Sequence, residues 1–204
     1  MQSISELLDL LPLFATLLVT ATSVGLLISR NWRWGILLLA VQYAGIAALA
    51  SLSWPLEMAI TKMVAGWMSG AVLGMAMASV PSGWGREEHF WPSGRIFRLL
   101  AALMVAIAVF SAIPAISKLF PQVSTLTMIG GLILIGMGLL HLGLTAQPLR
   151  ISIGLLTTLA GFEIIYATVE TSILVAGLLA GVNIGLGLVG AYMITASEME
   201  QETE

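Results

Sequence analysis

Four ionisable residues interrupt long apolar stretches of this 204-residue chain: Lys62, His141, Glu163 and Glu170. An ionisable group at the centre of a membrane-spanning helix costs about 2.5–3.5 kcal/mol on insertion scales, so each one requires a reason. Glu163 is predicted near mid-span, far from the nearest basic turn, and its short side chain cannot reach the interface from there. It either accepts a proton or makes a structural hydrogen bond between helices.

Lys62 is the natural partner of Glu163. At 1.5 Å per helical residue, Lys62 lies about 12 Å past the turn that follows Trp54. Glu163 lies at a similar distance from a turn near Glu170, which falls on the same side of the apolar layer. The cation and the anion are therefore expected at one depth. The alternative for Lys62 is a side chain that snorkels to the interface.

The other two ionisable residues lie nearer the span ends. Glu170 follows Glu163 by seven residues, a spacing that returns to nearly the same helix face. Glu170 is therefore either a second ion-binding site or a solvated residue at the helix end. His141 either passes protons between water and the interior or is a hydrogen-bonded interhelical histidine. The neutral polar residues that could line or hydrate such a path are Gln42, Tyr43 and Asn183.

The composition requires a surface that faces lipid. Apolar residues make up 58% of the chain and charged residues only 9%, against roughly 25% in an average soluble protein. So few charged side chains cannot form the polar shell of a water-soluble domain, and the same composition excludes disorder. A net charge of −3 provides no basic field for nucleic acid.

The apolar residues form seven segments, each close to the roughly 20 residues that cross a bilayer core. Their continuous hydrophobicity predicts helices, because barrel strands would alternate. The predicted spans are 10–28, 34–52, 58–78, 96–117, 126–145, 151–169 and 173–195. The sequence thus predicts an all-α, polytopic membrane protein whose longest connection is the loop 79–95.

The basic residues predict its orientation. Six of the eight fall on one side of the layer: Arg30, Arg33, Arg86, Arg95, Arg98 and Arg150. By the positive-inside rule, the N-terminus is outside and the C-terminus inside, in the cytoplasmic (inner) membrane. Tryptophans near the span ends are predicted to anchor the interface: Trp32, Trp34, Trp54, Trp84 and Trp91.

A weak similarity between the two halves predicts parallel three-helix repeats at 10–78 and 126–195, with 96–117 as a connector helix. Two stripes of glycines four residues apart, one from Gly66 to Gly74 and one from Gly177 to Gly185, would allow close helix packing within the chain or against a partner.

No set of residues points to catalysis or to a cofactor. The two histidines lack metal-ligand spacing, no phosphate-binding loop follows a strand, and no nucleophile is paired with a base. The absence of cysteine excludes disulfides and thiolate-held clusters in this chain. The chain is therefore predicted to be a non-enzymatic protein with neither cofactor nor metal.

Three motifs between Thr127 and Thr195 resemble the three-helix K subunit (NuoK-like) of respiratory complex I and the C subunit of Mrp-type sodium/proton antiporters. They are GGLIL at 130–134, PLRISIGLL at 148–156 and NIGLGL at 183–188. Over nearly its full length the chain looks more like the E component of group 4 (hydrogenase-4-like) membrane-bound hydrogenases, to which the segments 33–42 and 60–62 are similar.

The resemblance implies a membrane subunit that packs between antiporter-like subunits of a larger complex and supports proton or sodium translocation. The membrane glutamates of these families would fall at Leu156, Leu159 and near Gly181, none of which is acidic. A relocated relay through Lys62 and Glu163 is the resulting expectation. The alternatives are a purely structural assembly subunit and a small ion carrier that acts alone, with an integral membrane enzyme as the last.

Overall fold

The structure, a computed structural model, describes residues 2–80 and 94–202, with side chains described for 10–80 and 94–196. Within those ranges all regular structure is helical. The helices are α1 (Gln2–Ile28), α2 (Trp32–Ala50), α3 (Leu56–Ser79), α4 (Arg95–Leu119), α5 (Thr125–Gly143), α6 (Pro148–Tyr166) and α7 (Ile173–Glu202). All seven are long and apolar enough to cross a membrane, which confirms the predicted all-α, seven-span class.

Local signals in the sequence set several helix starts. The Asn31 side chain accepts a hydrogen bond from the backbone N–H of Arg33 at the start of α2, and Ser124 accepts one from Thr127 at the start of α5. Pro148 occupies the first turn of α6, where its missing N–H costs nothing. These caps satisfy backbone groups that lipid would leave without partners.

Most helix ends lie within three residues of the predicted span ends, and the largest differences are at the start of α1 and the end of α7. α1 begins at Gln2 and α7 continues to Glu202, because the helical hydrogen bonding extends beyond the apolar residues that can span the bilayer core. α6 ends at Tyr166 rather than at 169, since the chain there turns into the connection to α7. Most of the long loop, with Arg86, Trp84 and Trp91, lies outside the described residues.

The helices form two facing rows. In the first row α2 packs between α1 and α3, and in the second α6 packs between α5 and α7. The rows meet helix by helix, as α1 on α5, α2 on α6 and α3 on α7, while α4 packs against α5 and α1 and is the least buried. The buried core between the rows includes Leu39, Ile46, Leu73, Leu134 and Leu156. The arrangement places the two predicted repeats side by side; the repeat itself stays a prediction.

Side-chain hydrogen bonds near the helix ends define the two ends of the bundle. At the Arg150 end, Arg150 Nη2 donates to the carbonyl of Ser29 at 2.7 Å, and Arg98 Nη1 donates to that of Leu27 at 2.9 Å. At the Trp54 end, Trp54 Nε1 donates to the carbonyl of Glu170 at 2.8 Å. Helices α2, α4 and α6 therefore run from the Arg150 end to the Trp54 end, and the others run back.

The interfacial role predicted for Trp54 is wrong. Its side chain is only 4% exposed, whereas Trp34 is 60% exposed. A turn residue was expected to face the interface, but the connection between α6 and α7 covers this indole and accepts its hydrogen bond.

Candidate functional site

Lys62 of α3 and Glu163 of α6 form an ion pair inside the bundle. Their exposed fractions are 3% and 1%, so neither side chain snorkels to the interface. The pairing agrees with the equal depth that the sequence predicts. A buried pair of this kind carries a large desolvation cost, which only close contact and further hydrogen bonds offset.

The pair lies off-centre in the bundle, toward the Trp54 end. Lys62 is the seventh of the 24 residues of α3, and Glu163 is the sixteenth of the 19 residues of α6. Along α6, Glu163 is thirteen residues, or about 20 Å, from Arg150 but only about 5 Å from the last helical residue. The predicted mid-span position of Glu163 is corrected accordingly, because α6 ends earlier than its hydropathy indicates.

Asn183 of α7 connects the ion pair to Tyr43 of α2. Its Nδ2 donates to Glu163 Oε1 at 3.1 Å, and its Oδ1 accepts a hydrogen bond from the Tyr43 hydroxyl at 2.7 Å. Asn183 and Tyr43 are both fully buried. Lys62 Nζ also lies 5.8 Å from the centroid of the Tyr43 ring, within cation–π range. Four of the predicted residues thus form one cluster, which draws on α2, α3, α6 and α7.

Two small residues of α3 make room for this cluster. Ser69 Oγ donates to the backbone carbonyl of Asn183 at 2.9 Å and holds α3 against α7. At Gly66 any side chain would overlap the Tyr43 ring, so glycine is required for the ring to lie there. Sequence reasoning missed Ser69, because a hydroxyl in an apolar helix usually bonds its own backbone. Its spacing of seven residues from Lys62 was the available signal.

Gln42 belongs to a second polar group, although it is the chain neighbour of Tyr43. Its Nε2 donates to Ser23 Oγ at 2.7 Å, and its Oε1 accepts a hydrogen bond from Thr157 Oγ1 at 3.3 Å. All three side chains are buried. The group joins α1, α2 and α6 on the Arg150 side of the ion pair. Ser23 and Thr157 were not predicted, since nothing in their own segments marks them as partners of Gln42.

His141 lies at the Arg150 end, as the seventeenth of the 19 residues of α5. It is 6% exposed, and its Nε2 has no hydrogen-bond partner among the described residues. Arg98 and Arg150 lie at the same end of the bundle. The structure therefore places His141 apart from the ion pair, by most of the length of α6.

Glu170 does not share a helix face with Glu163. α6 ends at Tyr166, and Glu170 lies in the connection to α7, where its Oε1 accepts a hydrogen bond from the backbone N–H of Ser172 at 2.9 Å. The stripe predicted from the seven-residue spacing is absent because the helix ends before it is complete. Glu170 is half-buried and caps the approach to α7.

In the cluster of Lys62, Glu163, Asn183 and Tyr43, the Glu163 carboxylate is a group that can bind a proton or a cation. A proton or a cation that neutralises Glu163 leaves the Lys62 ammonium without its counter-charge in a medium of low dielectric constant, so the two sites are strongly coupled. Asn183 can remain bonded to the carboxyl group in either state, because its amide donates and the carboxyl keeps an acceptor oxygen.

No protein-family model, curated protein or solved structure matches this chain.

Proposed function

We propose that the chain is an integral membrane subunit of an energy-converting complex related to complex I, Mrp antiporters and group 4 hydrogenases. Its role is to support proton or sodium translocation through the cluster around Glu163. The observation that carries the proposal is the Lys62–Glu163 ion pair, which is almost completely buried among apolar helices. Apolar replacements of buried ion pairs are often neutral or stabilising, so packing alone does not account for this pair.

In this mechanism Glu163 takes up and releases the ion, and Lys62 adjusts the affinity by its own charge. Asn183 and Tyr43 hold the carboxylate in place. Gln42 and His141 lie on the Arg150 side of the pair and hydrate or extend the route there, and Glu170 lies beyond it at the Trp54 end. The family assignment rests on the motifs at 130–134, 148–156 and 183–188.

Orientation and partners are part of the same proposal. The described arginines Arg30, Arg33, Arg95, Arg98 and Arg150 lie at one end of the bundle, which supports a cytoplasmic position for that end and an outside N-terminus. The exposed apolar surface contacts lipid and, in the complex, antiporter-like membrane subunits.

The test is Glu163→Gln in membrane vesicles that contain the whole complex. Proton and sodium pumping should fall strongly, because the amide keeps the shape but neither carries the charge nor titrates. Glu57→Gln is the matched control, since Glu57 is an exposed acid in the first turn of α3 and should leave pumping unchanged. Unchanged pumping with Glu163→Gln would remove Glu163 from the mechanism.

One observation favours a structural assembly subunit as the second candidate. The ion pair joins α3 of one row to α6 of the other, so it could serve only to fix how the rows meet. On that hypothesis the double variant Lys62→Met with Glu163→Leu assembles and transports normally. Loss of pumping by an assembled complex with this double variant decides for the relay.

A further inference from the structure

A compact apolar cluster closes the Trp54 end of the bundle. We call it the Trp54 cluster; its members are Ala50, Trp54, Met58, Ala59, Ala167 and Ala176. All are buried, with Trp54 at 4% and Met58 at 7% exposure. They come from the end of α2, the turn that follows it, the beginning of α3, the connection between α6 and α7, and the first turn of α7, so five parts of the chain meet here.

The cluster lies one helical turn beyond the ion pair. Met58 precedes Lys62 by four residues on α3, and Ala167, directly after the last residue of α6, follows Glu163 by four residues and donates its N–H to the Glu163 carbonyl. Residues four apart share a helix face and are separated by about 6 Å along the axis. The cluster therefore lies between the pair and the Trp54 end, across the direct path along these helices.

One hydrogen bond holds the two turns at this end together. Trp54 Nε1 donates to the backbone carbonyl of Glu170, which joins the turn after α2 to the connection before α7. The same connection is held by the bond from the Ser172 N–H to the Glu170 carboxylate. Both segments are turns outside the helices, and only a few backbone bonds, such as those from Trp54 N–H to Ala50 and from Glu170 N–H to Tyr166, hold them to the neighbouring helix ends. Local opening of such turns costs less than opening of a helix interior.

The opposite route is longer and passes through the core. From Glu163 to Arg150, α6 runs for about 20 Å, and the completely buried Ala160 and Leu156 lie along it. The Trp54 cluster is a single layer about one turn thick. The short route between the ion pair and water therefore leads through the Trp54 end.

We propose that the Trp54 cluster is a gate that controls exchange between the Lys62–Glu163 pair and the aqueous phase at the Trp54 end, with the Trp54–Glu170 hydrogen bond as its latch. This inference rests on the proposed ion relay and adds to it the side from which the site is reached. Trp54 acts as a positioning residue, because it touches the gate and not the ion.

The chain has no cysteine, so a single reporter thiol tests the gate directly. Ala65→Cys places a thiol on α3 three residues past Lys62, at a position that is 3% exposed. The full chain, in vesicles of each orientation, is treated with a small charged, membrane-impermeant methanethiosulfonate reagent. The reporter should react slowly from either side while Trp54 is present.

Removal of the latch should increase reactivity from one side only. Trp54→Phe keeps the aromatic ring but loses the N–H donor, and should speed labelling from the Trp54 side about fivefold, as expected for the loss of one ordinary hydrogen bond. Trp54→Ala should increase it further. The matched control is Trp67→Phe, because Trp67 Nε1 also donates to a backbone carbonyl, that of Ala40, but on an exposed face of α3. That variant should leave labelling unchanged.

Two results would overturn the gate. If the Ala65→Cys reporter is labelled at the same rate with and without Trp54→Phe, the Trp54–Glu170 hydrogen bond does not hold the gate closed. An equal increase in labelling rate from both sides, or an increase in the Trp67→Phe control, shows that the substitution loosens the whole bundle rather than opening a gate at one end. Trp54→Phe decides the matter even if Trp54→Ala does not fold. The gate is tested by the labelling rate of a thiol, whereas the relay is tested by the pumping activity of the Glu163→Gln variant. Failure of one proposal is therefore distinguishable from failure of the other.

Discussion

Asn183 donates a hydrogen bond to Glu163 at 3.1 Å from a helix that lies beside α6, and it does so from a fully buried position. The amide has a second partner in Tyr43, and the backbone carbonyl of the same residue accepts a bond from Ser69. One residue of α7 thus links three other helices. The ion pair is consequently part of a network, and its parts can be separated by substitution.

Replacement of Asn183 should destabilise the protein more than replacement of Tyr43. Asn183→Leu leaves both Glu163 Oε1 and the Tyr43 hydroxyl without this partner, at about 1–3 kcal/mol for each buried group. Tyr43→Phe removes a single bond and leaves only one buried group, Asn183 Oδ1, without this partner, so its loss should be about half as large. Unfolding in mixed micelles titrated with a denaturing detergent measures both. Equal losses would contradict the bridging role of Asn183.

The ion pair should show strong coupling in a double-mutant cycle. Lys62→Met leaves Glu163 as an uncompensated buried carboxylate, and loss of one partner of a buried pair costs about 3–5 kcal/mol. Adding Glu163→Leu to Lys62→Met should restore most of that stability, because the double variant buries no charge. The same micelle titration measures the cycle.

Lys118→Met is the control for this cycle. Lys118 is exposed near the end of α4, so its charge is solvated and the unfolding midpoint should not change. Additive effects of Lys62→Met and Glu163→Leu would show that the two charges do not interact.

The two glycine stripes should respond differently to alanine. Gly66→Ala places a methyl group against the Tyr43 ring, and overpacking of this kind costs about 1–3 kcal/mol. Gly177→Ala meets nothing within 4 Å and should be neutral or stabilise by up to about 1 kcal/mol through helix propensity. Unfolding midpoints of the two variants give the comparison. A destabilised Gly177→Ala in the isolated chain would show that α7 packs differently.

Gln42 and Asn183 should contribute independently to stability. Gln42→Leu breaks the bonds to Ser23 and Thr157, whereas Asn183→Leu breaks those to Glu163 and Tyr43, and the two groups share no hydrogen bond. The double variant should therefore lose the sum of the two single losses to within about 0.5 kcal/mol. A larger deviation in the measured unfolding free energies would reveal one continuous network.

The sequence predicts the spans and the ion pair because both depend on counting along the chain. A helix needs about 20 apolar residues to cross a bilayer, and the rise per residue places Lys62 and Glu163 at matching distances from their turns. The end of α6 was not predicted, because the apolar residues continue past Tyr166, whereas the backbone hydrogen bonds there change from those of a helix to those of turns. That one difference moves the pair toward the Trp54 end and takes Glu170 off its helix face.

Packing partners were harder to predict than depth. The stripes that start at Gly66 and Gly177 have identical spacing, yet the first contacts α2 and the second has nothing against it. Spacing defines a helix face but not which neighbour covers it. For the same reason Ser69, Ser23 and Thr157 emerge only when the helices are assembled, and Trp54 is buried by a segment more than a hundred residues away.

The off-centre position of the ion pair determines how a transmembrane voltage would act on it. About 20 Å of apolar bundle separates Glu163 from Arg150, and about 5 Å separates it from the other end of α6. In the proposed relay, a charge that moves between the pair and the Arg150 end would cross most of the electric field, worth up to about 2.3 kcal/mol per 100 mV. A charge that moves between the pair and the Trp54 end would cross less of it, so ion exchange with the two ends would differ in its sensitivity to voltage.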